Sequence, residues 1–193
     1  MTDLDPRAQQ VLDYWFGPRE SWGRFRPQWF GGGPEVDAEI ASRFAAVHAQ
    51  ACAGACNDWQ DSPLGALALV VVLDQFSRNL GRGTAAAFAA DEAARVVADA
   101  AIARGFDEAL VPLHRWFLYL PFEHAEDLAA QQRAVALFRA LPDHEGKANG
   151  VDYAVRHHDV IARFGRFPHR NAILGRASTP EETRWLAEGG DRF

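Results

Sequence analysis

Along most of the chain apolar residues recur every three to four positions, and period-two alternation is almost missing, so the pattern predicts helices rather than strands. Alanine-rich stretches point the same way, because alanine carries the lowest helix cost. Asp5 followed by Pro6 reads as a cap and first turn, opening a helix to about Phe16 with Val11, Leu12, Trp15 and Phe16 on its apolar face. Residues 17–34 are rich in glycine, proline and aromatics, and predict an ordered loop with one short turn at 27–30. Pro34 starts a second helix, carried by Val36, Ile40, Phe44 and Val47. Ser62 caps a third that begins at Pro63; it is apolar all round through Leu73, hence central, and breaks at Gly81 and Gly83. Thr84 is expected to cap a fourth that ends at Gly105. A fifth helix is predicted over about 107–120, stopping before Pro121, a sixth over 124–141 and a seventh over 149–165. The last, 180–187, opens on the capping box Thr179-Pro180-Glu181-Glu182.

About eight helices with short connections predict one all-α domain over 1–193, made of antiparallel helical hairpins stacked on one another. The similar helix lengths suit a degenerate hairpin array, although no strict repeat is visible. A chain of 193 residues, 48% hydrophobic and 24% charged, buries a sizeable core.

Charge changes the picture in two ways. Twenty lysines and arginines against twenty-six acids leave −6, the wrong sign for a general nucleic-acid binder. Lys147 is the single lysine, so nearly every cation is a guanidinium, suited to bidentate carboxylate or phosphate partners. The first residues carry no basic segment followed by an apolar run, and the most apolar stretch, 64–73, is too short for a membrane span. With Cys52 and Cys56 the only cysteines, the expectation is a protein of the reducing cytoplasm. These two lie one turn apart in an alanine-rich stretch and read as small core residues.

Three stretches are chemically expensive. In the central helix Asp74 and Arg78, and Gln75 and Asn79, lie one turn apart among apolar residues, where burial costs several kcal/mol unless each group is paired. The loop after it carries Arg82 ahead of a helix start that could hold an anion. The second stretch, Tyr119 to Asp127, places Glu123 and His124 directly after a buried aromatic run. Glu126 and Asp127 there are explained by the helix dipole. No Glu-x-x-His spacing occurs, so no metal is expected, and nothing in the chain calls for a cofactor. The third is His157-His158-Asp159 running into RFGRFPHRNAILGR, where His157 shares an inward face with Ile161 and Arg163 lies on the flank. Gly165, Phe167 and Pro168 then form a corner from which Arg166, His169, Arg170 and Asn171 emerge.

Taken together, YWFG, LDQFSRNLGRGTAAAFAAD, FLYLPFEHAED and HHDVIARFGRFPHRNAILGRASTPEE resemble the bacterial domain of unknown function 924 family over nearly the whole chain. The resemblance implies an all-helical fold similar to tetratricopeptide-repeat superhelices, and no activity. Its pattern falls on Asp74, Gln75, Phe76, Arg78, Asn79, Arg82 and Gly83, on Leu120, Pro121, Phe122, His124 and Glu126, and on His157 and 163–171. Ser77 stands where proline is expected, Ala125 where serine is, and Gly31-Gly32-Gly33 replaces a more polar loop.

Three functions fit these residues. In the first, Asp74, Arg78, Asn79, Arg82, Glu123, His124, His157, Arg163, Arg166, His169, Arg170 and Asn171 line one concave pocket, whose arginines bind an anionic small molecule or acidic peptide. In the second, His124 or His169 is a general acid–base oriented by Glu123 or Asp74, giving a hydrolase-type enzyme. In the third, the arginines pair internally with Asp74, Glu123, Glu126 and Asp159 in a structural or protein-interaction module.

Overall fold

In the computed structural model, which describes residues 4–193, the chain is all-α, with no strand among those residues. Helix α1 (Pro6–Phe16) starts as its sequence demands: Asp5 Oδ1 accepts from the Arg7 amide at 2.7 Å, and Pro6 fills the first position. A single turn, Gln28–Gly31, then leads into α2 (Pro34–Cys52). Ser62 Oγ accepts from the Gly65 amide at 3.1 Å and opens α3, which runs Pro63–Val70, widens to a π-helical turn over Val71–Phe76, and ends in the α-turn Ser77–Leu80.

The remaining helices are α4 (Asp91–Ala103), α5 (Pro112–Glu123), α6 (Leu128–Ala140), α7 (Lys147–Phe164) and α8 (Pro180–Ala187). The capping box of α8 is complete, with Glu182 N donating to Thr179 Oγ1 at 3.1 Å and Thr179 N donating to Glu182 Oε2 at 2.7 Å. Helix α3 is the central rod. It packs on α1, α2, α4 and α5, while α5, α6 and α7 stack as successive antiparallel neighbours beyond it. Every residue from Gly65 to Ser77 is buried, as its all-round apolar pattern requires. A separate small cluster, Val160, Ile161 and Phe167 with Phe164, Trp185 and Phe193 against it, seats the C-terminal residues on α7.

Three boundaries differ from the sequence reading, each for a physical reason. Thr84 does not cap a helix: its hydroxyl donates to Gly81 O at 2.8 Å, a 3₁₀ turn follows at Ala85–Phe88, and α4 starts only at Asp91. Arg78 takes both Ala87 O and the Asp91 carboxylate, which ties the 3₁₀ turn and the start of α4 to the end of α3. Pro121 does not stop α5, which continues to Glu123. The proline removes one amide near the helix end, and burial of Trp116, Phe117, Leu120 and Phe122 on that helix outweighs the loss. Residues 124–127 are not helical. Asp127 is the cap of α6, accepting from the Ala130 amide at 2.7 Å. Cys56 is buried just beyond α2, whereas Cys52 at its end is exposed, so only one of the pair is a core residue.

Candidate functional site

The arginine-rich corner is neutralised by acids close by. Arg166 makes a bidentate pair with Glu182 at 2.6 and 2.8 Å, and Asn171 donates to the same carboxylate at 3.2 Å. Arg163 donates to Glu181 at 2.9 Å. Glu126, rather than merely favouring a helix start, accepts from the Phe167 amide at 2.7 Å and from Arg176 at 2.6 and 2.9 Å. Burial would raise the Glu126 carboxyl, but the Arg176 and Phe167 donors hold it below its ordinary value. Arg78 and Arg170 share Asp91, the first at 2.7 and 2.9 Å and the second at 3.5 Å. Arg170 is buried and also donates to His124 O at 3.0 Å, which docks the corner on the turn after α5. Its burial, then the Arg78 charge, lower its pKa to about 10, and it stays cationic near neutrality. Arg82 and Asn79 hold Asp37 on the far side of α3, at 2.5 and 2.8 Å.

Away from these pairs lies a cavity of about 410 Å³ between α5, α7, the loop after α1 and residues 192–193. Of the sequence candidates, Glu123, His124 and His157 line it. Asp74 sits directly behind, fully buried on the π-helical turn of α3. His124 donates Nδ1–H to Asp74 Oδ1 at 2.7 Å, and Gln75 donates to the other carboxylate oxygen at 2.5 Å. That bond selects the tautomer whose Nε2 accepts, and among the described residues Nε2 has no hydrogen-bond partner. Burial pushes the Asp74 carboxyl up, yet the facing His124, with Arg78 and Gln75, holds it below its ordinary value and anionic.

Glu123 has the opposite fate. It is 3% exposed, its Oε2 has no partner among the described residues, and burial followed by the Asp74 charge push its pKa well above the carboxylate range. Two neighbouring buried carboxyls are thereby driven apart, one towards the ionised and the other towards the protonated form. His157 donates Nδ1–H to Tyr153 O at 2.8 Å, with Glu123 Oε1 3.2 Å from the same nitrogen; burial holds its pKa well below the ordinary imidazole value. His169 lies behind Phe167 and Phe193, its pKa lowered to about 4 by burial and Arg170.

The protonated state of Glu123 has a sign that thermal unfolding reads. A carboxyl whose folded pKa is raised binds more protons in the folded than in the unfolded chain, so stability is lost as pH rises above its unfolded value. Glu123→Gln therefore raises the melting temperature at pH 7 and changes it little at pH 4. Each kcal/mol relieved moves the midpoint by about 2–4 °C in a domain of this size. A loss of stability that grows with pH would show an ionised, satisfied carboxylate instead.

The walls were not legible as a site. Phe25 and Phe30 come from the loop after α1, Trp116 from α5 and Tyr153 from α7. Phe30 stacks on Trp116 with centroids 5.8 Å apart, and Arg192 lies at the edge. Gln131, buried on α6, was also missed; it donates to Glu123 O and Ala125 O at 2.6 and 2.8 Å, fixing the end of α5. Among the described residues no group of three or more His, Cys, Asp or Glu could hold a metal ion, and no helix is long and apolar enough to cross a membrane.

The sequence profile of the family described as bacterial protein of unknown function (DUF924) matches residues 11–190. The chain belongs to the DUF924 family. Its fold is similar to the solved structure of ATU0120, a protein of unknown function from Agrobacterium tumefaciens, with 41% identity and a TM-score of 0.86. That similarity covers 97% of this chain and all of the other. No curated protein matches the chain. The DUF924 resemblance read from the motifs thus holds, and those motifs meet in space: His124, Arg170 and Asp74 come from three of them.

Proposed function

We propose that this DUF924 chain is a hydrolase-type enzyme acting on a small, largely apolar carbonyl substrate, with His124 as general base. The observation that carries the reading is the 2.7 Å bond from His124 to a wholly buried Asp74 at the floor of an aromatic cavity. In the step this suits, water attacks the carbonyl carbon and gives its proton to His124 Nε2, while the imidazolium is stabilised by Asp74. Protonated Glu123 donates a hydrogen bond to the oxygen on which negative charge develops. The leaving oxygen or nitrogen then takes the proton from His124 as its bond to carbon breaks, giving an acid and an alcohol or amine.

Arg78, Arg163, Arg166 and Arg170 play no direct part, being engaged by Asp91, Glu181 and Glu182 outside the cavity lining. Arg192 at the cavity edge is the cation that favours the second reading, capture of a ligand with a negative group. A panel of ester and amide substrates, assayed from pH 5 to 9 on wild type and His124→Ala, separates the two. Turnover that falls about 100-fold or more in His124→Ala, with helical circular dichroism kept, is expected. Ligand-dependent stabilisation without turnover at any pH would leave only the binding reading.

A further inference from the structure

Resting on that reading of the cavity, we infer that the substrate carries a planar aromatic ring next to its carbonyl group, and that this ring takes the place Phe193 now holds on His157. The Phe193 and His157 rings lie 3.5 Å apart between centroids at 23°, closer than any other ring pair among the described residues. The face of His157 is a stacking platform, and Phe193 covers it. Edges of further rings close the slot: Phe167 meets Phe193 at 6.0 Å and 77°, His169 at 6.0 Å and 75°, and Tyr153 at 6.4 Å and 64°. A slot with one face and three edges selects a flat ring over a puckered one of equal volume.

The occupant is held in a way that lets it leave. Among the described residues no backbone amide of 191–193 donates to a main-chain carbonyl. Asp191 pairs with Arg156, and beyond it Arg192 makes only a 3.4 Å contact with Leu186 O. The Phe193 ring is itself half-buried, not sealed. Polar chemistry sets the other half of the ligand. Glu123 Oε2 is buried in the same cavity without a partner, so its proton has nothing in the protein to meet. A carbonyl oxygen attached to the ring supplies the missing acceptor.

The test is calorimetric titration of benzamide and of cyclohexanecarboxamide, the same amide on a puckered ring, into wild type, Phe193→Ala and Phe193→Leu. Benzamide is expected to bind about three- to tenfold more tightly than its saturated counterpart, the range that ring stacking supplies. Its affinity rises at least threefold in Phe193→Ala, where the competing ring is gone, and does not fall in Phe193→Leu, which keeps apolar bulk at that position. Equal affinities for the two amides, binding of neither by any of the chains, or a benzamide affinity unchanged or weakened in Phe193→Ala would overturn the assignment. Binding is read without turnover, so this inference can fail while His124-dependent hydrolysis of other carbonyl substrates stands.

Discussion

Replacing Phe76 by alanine lowers the unfolding free energy by about 3–5 kcal/mol, the range for a fully buried aromatic removed from a packed core. The side chain has no exposed surface. Its ring meets those of Phe44 at 5.0 Å, Trp15 at 5.6 Å and Tyr14 at 6.2 Å, and so joins α1 and α2 to the central rod. Phe44 and Trp15 are themselves buried and only Tyr14 is partly exposed, so a cavity term adds to the transfer term. At about 2–4 °C per kcal/mol the melting midpoint falls by about 6–20 °C. Denaturant titration with an unchanged slope would show that stability alone has moved. A loss below about 1 kcal/mol would mean that the π-helical turn relaxes on truncation and that the packing described around it is loose.

Asp74→Asn is the second large effect, and it falls on turnover. An asparagine keeps the size of the side chain and can still accept from Gln75 or His124, so the fold survives. It removes the negative charge that makes Nδ1–H the preferred tautomer and that stabilises an imidazolium. The corresponding change in serine proteases costs about 10⁴-fold, and a loss of about 10³–10⁴-fold is expected here in whichever carbonyl substrate the panel identifies. Loss of the Asp74 charge also removes part of what keeps Glu123 protonated, so the pH at which residual activity declines moves downward. A purely structural Asp74 would change the melting temperature and leave that pH profile where it was.

How much of this was visible beforehand depends on the range of each interaction. Caps are local, and Asp5, Ser62 and the Thr179–Glu182 box stand where the sequence puts them. Thr84 has the same local signature but is overridden by Arg78, which reaches across from another helix. Pro121 is a local breaker overridden by burial. The polar residues of α3 were recognisable as costly, yet their partners were not: Asp74 and His124 are separated by 50 residues, and spacing within one helix suggested Arg78 instead. The arginines of the corner were conspicuous, whereas the acids that satisfy Arg163 and Arg166, Glu181 and Glu182, read only as part of a capping box. Conversely the cavity walls are aromatics, which in an all-α chain look the same whether they fill a core or face a void. A charge count therefore led towards the corner, and the hollow lies beside it.

The wide turn at Val71–Phe76 has a consequence for how this chain can change length. Such a turn carries one residue more than a regular helix needs, and each residue accounts for about 100° of rotation. Deleting one position there would restore an ordinary helix and swing Asp74 away from His124. The upstream half cannot compensate by turning: Gly65 is seated so close to Trp59 that a methyl group would lie 2.1 Å from its carbonyl oxygen. Gaps and insertions in this stretch are thus incompatible with the dyad.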